Sequence, residues 1–368
     1  MIVGVPKEIK NKENRVGMVV AGVRALTHAG HKVLIQHNAG VGAGISDDDY
    51  RKAGATIIET AKEVYEKADM IVKVKEPLPE EYPLLRENQI LYTYLHLAAD
   101  ERLTKALMER KIVGIAYETI QPGDGSLPLL APMSAVAGRM ATQIGATYLQ
   151  HDHGGKGMLL GGVTGVNRAN VVVLGGGVVG INAAKMAAGL GANVAILDVN
   201  VHRLDYLADV FGNDVTTLYS NSEQIENAVV NADLVIGAVL VTGAKAPKLV
   251  TRDMISRMQP GSVVVDVAVD QGGSVETCRP TSHEHPTYTI DGVIHYAVPN
   301  MPGAVPRTST YALTNVTMKY AVMLANMGWK AAVAKDEALL KGVNILNGKV
   351  AYKQVADDLG LPFEAVRL

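Results

Sequence analysis

Three polar residues stand where apolar, strand-like runs of the chain end, and together they would suit hydride transfer coupled to proton transfer. The run 90–95 delivers His96, the run 70–74 delivers Lys75, and the run 263–269 delivers Asp270. Arg15 closes an Asn-Lys-Glu-Asn-Arg stretch after the first apolar run, Ile2–Val5. In wound α/β sheets ligands sit beyond the carboxyl ends of the strands, so such residues would face a common site. An imidazole exchanges protons near neutral pH, a cation steadies oxygen that gains charge, and a guanidinium fork can hold a carboxylate through two parallel hydrogen bonds. Each residue taken alone also has a plainer reading. His96 would serve as a satisfied core histidine, Lys75 as a solvated lysine beside Lys73, Asp270 as a cap for loop amides and Arg15 as a surface loop arginine.

A second set of residues addresses a nucleotide. The stretch from Asn170 reads NVVVLGGGVVG, an apolar strand running into Gly175-x-Gly177-x-x-Gly180 and then a helix. Asp198 ends the following strand, about 20 residues on, where the dinucleotide fingerprint places an acidic residue. Gly175 would allow the tight turn, Gly177 the approach of a pyrophosphate, and Gly180 close helix–strand packing. The helix N-terminus adds free amides and partial positive charge. A carboxylate at Asp198 accepts ribose hydroxyls and repels a 2′-phosphate, so NAD is expected over NADP although Arg203 lies nearby. The Pro299-Asn300-Met301 loop after the last strand is placed to close over a nicotinamide.

The elements that must position these groups alternate. Strands are expected at Ile2–Val5, Lys32–Gln36, 70–75, 90–97 and 112–118, with helices at 21–29, 47–53 and 101–110. A Gly- and Pro-rich linker at 121–132 ends this unit, and a helix follows at 134–150, lined with small residues such as Ala135, Ala137, Ala141 and Ala146. A second alternating unit starts at Asn170, with a long helix at 309–327 and a polar helical tail after it. The expected class is α/β, with two Rossmann-like doubly wound parallel-sheet domains and an active-site cleft between them. The tail is short for a third domain, so it should return to the first, which is then discontinuous. Residues 1–128 and 307–368 would form the substrate domain and residues 129–306 the NAD-binding domain.

Composition narrows the class. Of 368 residues 48% are hydrophobic and 20% charged, enough for two cores and unlike a disordered chain. A net charge of −2 offers no field for nucleic acid. The absence of a long uninterrupted apolar run or a signal-peptide pattern leads us to expect a cytoplasmic protein without a membrane partner. The single cysteine, Cys278, excludes an internal disulfide and a multi-cysteine zinc site. His151-Asp-His153 and His283-Glu-His285 lack a third ligand at suitable spacing, so no metal is expected.

Stretches along essentially the whole chain resemble, in order, the alanine dehydrogenase and pyridine-nucleotide transhydrogenase family. They include GVPKEIKNKENRVGM, KVKEP, TYLHLA, LAPMSAVAGRMA, GGKGMLLGGVTGV, VVVDVAVDQGG and YAVPNMPGAVPRTST. Within that family the match is to the L-alanine-oxidising members. The resemblance implies reversible conversion of L-alanine, NAD and water to pyruvate, ammonium and NADH. It implies that Arg15 and Lys75 hold the substrate, that His96 is the proton donor and acceptor, and that Asp270 is the second catalytic residue. It places cofactor contacts at Ser134, Val178, Val179, Asp198, Arg203, Ser220, Val239, Leu240, Val267, Ala268, Val269, Asp270, Arg279, Val298, Pro299, Asn300 and Met301, besides the glycine turn. It also implies a homohexamer. Transhydrogenase components carry an Arg, Gln and Asp cluster leading into the helix that here starts near Met133. This chain has no Arg or Lys between Lys111 and Arg139, which departs from that pattern.

Overall fold

Val3, Val5, Ile71, Leu91 and Ile115 are fully buried and lie on neighbouring strands, a run of apolar positions that only a sheet covered on both faces explains. The computed structural model describes residues 1–239, 246–269 and 272–367. Its first six strands are β1 (Ile2–Val5), β2 (Lys32–Gln36), β3 (Thr56–Ile58), β4 (Met70–Val72), β5 (Ile90–Thr93) and β6 (Val113–Ala116). Seven follow: β7 (Asn170–Leu174), β8 (Asn193–Asp198), β9 (Val215–Tyr219), β10 (Leu234–Gly237), β11 (Val263–Asp266), β12 (Thr287–Ile290) and β13 (Val293–Tyr296). The last two are β14 (Val343–Leu346) and β15 (Lys349–Val350). The chain divides into one unit of Met1–Met133 with Val305–Leu368 and a second of Ser134–Ala304.

In the first unit an eight-stranded sheet runs β15-β14-β6-β5-β4-β1-β2-β3. Strands β1 to β6 are parallel, and the winding reverses between β1 and β4, the point at which such sheets open a crevice. One face packs on a core that includes Tyr65, Leu103, Leu107, Ile345 and Val355, so the C-terminal segment is part of the same core. Local signals start the helices. Ser46 and Asp49 form a capping box on the helix Asp47–Lys52, and Asp100 accepts from the amides of Arg102 and Leu103 at the helix Glu101–Glu109.

The second unit has a seven-stranded sheet, β12-β13-β11-β10-β7-β8-β9, parallel except for β12. Its winding reverses between β7 and β10. Both units therefore share the doubly wound order, each with its own switch point.

The tail differs from expectation. The helix Pro306–Lys335 is broken at Gly328 (φ 72°, ψ 158°), close to the expected end, and a short helix Glu337–Lys341 follows. The chain then adds β14 antiparallel to β6 and β15 antiparallel to β14, before the helix Lys353–Leu359. Asn347 and Gly348 both have positive φ, so the Asn-Gly pair in Leu-Asn-Gly-Lys marks a tight hairpin that a purely helical reading passes over.

Candidate active site

The glycine turn is built as its spacing predicts. Gly175 follows β7 with φ +99°, which a side chain would strain. Gly177 precedes the helix Val178–Gly189, and a Cβ there would meet nothing within 4 Å, leaving room for a group to come close to the backbone. A Cβ on Gly180 would lie 1.8 Å from the carbonyl oxygen of Gly175, so this glycine is what lets the helix pack on the turn. Val178 and Val179 begin that helix. This open cradle at a helix N-terminus fits the pyrophosphate of a dinucleotide.

Asp198 ends β8, next to β7. Its Oδ2 accepts a hydrogen bond from the Gly176 amide at 2.7 Å and its Oδ1 one from the Asn200 amide at 2.9 Å. An ionised carboxylate has about four acceptor positions, so capacity remains for ribose hydroxyls. Arg203 donates through Nε to the Gly176 carbonyl and lies 4.7 Å from the centre of the Tyr206 ring. Gly176 is thus held at its amide by one residue and at its carbonyl by another.

The other expected cofactor residues of this unit mostly follow parallel strands. Ser220 comes after β9 and Val239 after β10. Val267, Ala268 and Val269 come after β11, and Val298, Pro299, Asn300 and Met301 after β13. Buried Asp266 accepts from the amides of Ala268, Ser274 and Val275. Arg279 stands apart, exposed with its guanidinium over the Tyr288 ring, and Ser134 lies on the helix Ala131–Tyr148. Leu240 and Asp270 lie outside the described residues.

In the first unit Arg15, Lys75 and His96 follow β1, β4 and β5, which are adjacent in the sheet. Arg15 is no surface arginine. It is 2% exposed, and its Nε and Nη2 donate to the two oxygens of Glu13 at 2.7 and 2.6 Å. The Nε/Nη2 edge of the fork is therefore engaged by Glu13. Nη1 lies 3.2 Å from the Met133 sulfur.

Lys75 is half-buried, and no hydrogen bond or ion pair engages its ammonium among the described residues. Burial lowers its pKa most; Arg15 and Lys10 add to that, against the opposing pull of Glu76 and Glu13. Beside it, burial tends to raise the Glu76 carboxyl, yet Lys75, His96 and Lys10 together hold it below the usual carboxylate range. Lys10 pairs with Glu76 Oε1, while Oε2 is buried without a hydrogen bond among the described residues.

The neighbouring Lys73 does not share a solvated face with Lys75. It is fully buried between Glu8 at 3.1 Å and Glu81 at 2.9 Å. Glu8 also accepts from the amides of Val74 and Lys75, so this buried carboxylate holds the backbone that carries Lys75. Burial raises the Glu8 pKa despite Lys73.

His96 is exposed rather than buried in the core, and takes a left-handed conformation (φ 50°, ψ 38°). Its ring lies 5.6 Å from that of Tyr94. Its amide donates to Glu118 Oε1 at 2.6 Å. Glu118 follows β6, the next strand of the sheet, and was missed as a site residue. The strand-end rule that found His96 would have found it. Glu13 and Glu8 carried no comparable signal, because their roles depend on burial.

Among the described residues no helix is long and apolar enough to cross a membrane. Comparison with known proteins agrees with the two-unit geometry. The alanine dehydrogenase/PNT N-terminal domain model matches residues 4–137 and the C-terminal domain model residues 141–353. An alanine dehydrogenase of Methanococcus maripaludis is 62% identical over 364 residues, 99% of this chain and 98% of that one. A solved L-alanine dehydrogenase superposes with a TM-score of 0.95 at 55% identity, covering 98% of this chain and 99% of the other. A transhydrogenase from Sinorhizobium meliloti superposes with a TM-score of 0.82 at 25% identity, covering 96% and 99%. With both domain models matched in order along the chain, it belongs to the alanine dehydrogenase/PNT family.

Proposed function

We propose that the chain is an NAD-dependent L-alanine dehydrogenase, catalysing the reversible oxidative deamination of L-alanine to pyruvate and ammonium. The observation that carries this reading is the placement of Arg15, Lys75 and His96 behind the adjacent strands β1, β4 and β5. The first unit is the substrate domain, with limits near 1–128 and 307–368, and the unit spanning about 129–306 holds NAD.

The glycine turn and the helix from Val178 would receive the pyrophosphate, and Asp198 the adenosine ribose. Ser134, Val178, Val179, Arg203, Ser220, Val239, Leu240, residues 267–270, Arg279 and residues 298–301 complete the cofactor set. When bound, NAD supplies the acceptor for a hydride from the substrate Cα. Arg15 and Lys75 place cationic charge against the substrate carboxylate and the oxygen that develops in pyruvate. His96 moves protons on and off the substrate nitrogen and oxygen. Its Nδ1 lies 3.6 Å from Glu118 Oε1, which supports Nε2 as the nitrogen that exchanges protons with substrate. Asp270 is assigned as the second catalytic residue on the family resemblance. A homohexamer in the cytoplasm, using L-alanine, pyruvate and ammonium and no nucleic acid or membrane partner, completes the reading.

The test is an NADH absorbance trace of the purified chain with pyruvate and ammonium. Turnover without any partner protein is expected. A chain that binds NADH but does not consume it with these substrates overturns the assignment. Light scattering checks the hexamer.

A further inference from the structure

Among the described residues, Glu118 is the carboxylate that touches the backbone of His96. Its Oε1 accepts from the His96 amide at 2.6 Å and from the Leu95 amide at 3.1 Å, and Oε2 lies 3.3 Å from the same Leu95 amide. The same Oε1 lies 3.6 Å from His96 Nδ1. The two residues are far apart in sequence but sit at the ends of the neighbouring strands β5 and β6.

These contacts do two things. The left-handed conformation of His96 is one that L residues adopt at a cost, and a carboxylate accepting two successive amides stabilises that bend. The carboxylate also sets negative charge 3.6 Å from Nδ1, on one side of the imidazole, with Nε2 on the other. Side-chain exposure follows the same division, 39% for His96 and 19% for Glu118. The histidine faces outward and the glutamate supports it from behind.

We infer that Glu118 is a positioning residue for the reaction. It fixes the backbone bend that presents His96 and holds its carboxylate 3.6 Å from Nδ1, on the far side of the ring from Nε2. The inference rests on the reading of His96 as the acid–base group. It does not require Glu118 to touch substrate.

A double-mutant cycle tests it, with Glu118→Gln, His96→Ala and the pair measured by steady-state kinetics, NADH titration and thermal melting. Glutamine keeps an oxygen for the amides and loses the charge. Glu118→Gln is expected to lower kcat by about 10- to 100-fold, the usual effect of losing a group that orients a working side chain. Pyruvate KM and NADH affinity should change by less than about twofold. In the His96→Ala background the same substitution should change kcat by less than about twofold, because the group through which it acts is gone. Should Glu118→Gln fail to fold, Glu118→Asp, with its carboxylate drawn back by one carbon, goes through the same cycle with the same expectations. Equal losses in both backgrounds would show a merely structural role and overturn the inference. So would a Glu118→Gln enzyme at the wild-type rate beside a slow His96→Ala. A His96→Ala enzyme at the wild-type rate would instead sink the acid–base reading itself, and this inference with it.

Discussion

A Cβ on Gly180 would sit 1.8 Å from the carbonyl oxygen of Gly175, whereas one on Gly177 would meet nothing within 4 Å. Two glycines of one fingerprint thus work differently, the first in packing and the second in leaving room for ligand. Gly180→Ala is expected to destabilise the chain by about 2 kcal/mol or more, the cost of overpacking against backbone that cannot yield. Gly177→Ala should melt within a degree or so of wild type and bind NADH about tenfold more weakly, roughly 1.4 kcal/mol. Thermal melts with NADH titrations separate the two, and equal effects on both quantities would refute the division.

Asp198 tests the choice of cofactor. Asp198→Ala removes the charge that repels a 2′-phosphate, so the ratio of kcat/KM for NADH to that for NADPH should fall by roughly tenfold, about 1.4 kcal/mol. The same variant frees the Gly176 amide, so some loss of NADH binding is expected with it. Equal wild-type efficiency with the two cofactors would refute the role of Asp198.

Lys75 carries its charge at a cost. Its folded-state pKa is lowered, by burial first and then by Arg15 and Lys10 against Glu76 and Glu13. The sign follows from proton linkage: the cost is complete below the folded pKa and vanishes as pH rises towards the unfolded value, near about 10.4. Lys75→Met should therefore stabilise the protein at neutral pH by about 1 kcal/mol, as substitutions that relieve a functional strain commonly do. The gain should fade at alkaline pH, while pyruvate binding is lost. Melts across pH with pyruvate kinetics check this, and an unchanged or lower melting temperature at neutral pH would contradict it.

Arg15→Ala should do more than raise the pyruvate KM. Arg15 and Glu13 are both almost fully buried, so removing the guanidinium takes the bidentate cation from a buried carboxylate. Glu13 keeps the Arg15 amide at 3.1 Å, so the loss should be about 1–3 kcal/mol. Arg15→Lys keeps a charge without the fork and should recover part of the stability. Denaturant melts measure both, and an Arg15→Ala protein of wild-type stability would show that the pair contributes little.

The sequence by itself determined what depends on neighbours along the chain. The glycine turn, Asp198 at the end of β8, the cap Ser46, and the strand-end positions of Lys75 and His96 are local patterns of residue type and spacing. Tertiary structure decided which strand ends meet. Strand β4 lies beside β1 because the sheet reverses its winding there, and this brings Lys75 and His96 to the same edge as Arg15. The same reversal is invisible in apolar runs, which look alike whichever strand they pair with. Burial was decided at that level too. Lys73 and Lys75 are alike in sequence, but one is enclosed by Glu8 and Glu81 while the ammonium of the other has no such partners among the described residues. Arg15 reads as a loop residue until Glu13 and the surrounding chain enclose it. Glu118 becomes a support for His96 only when β6 pairs with β5, since a carboxylate's role depends on the charges and amides that the fold brings within reach.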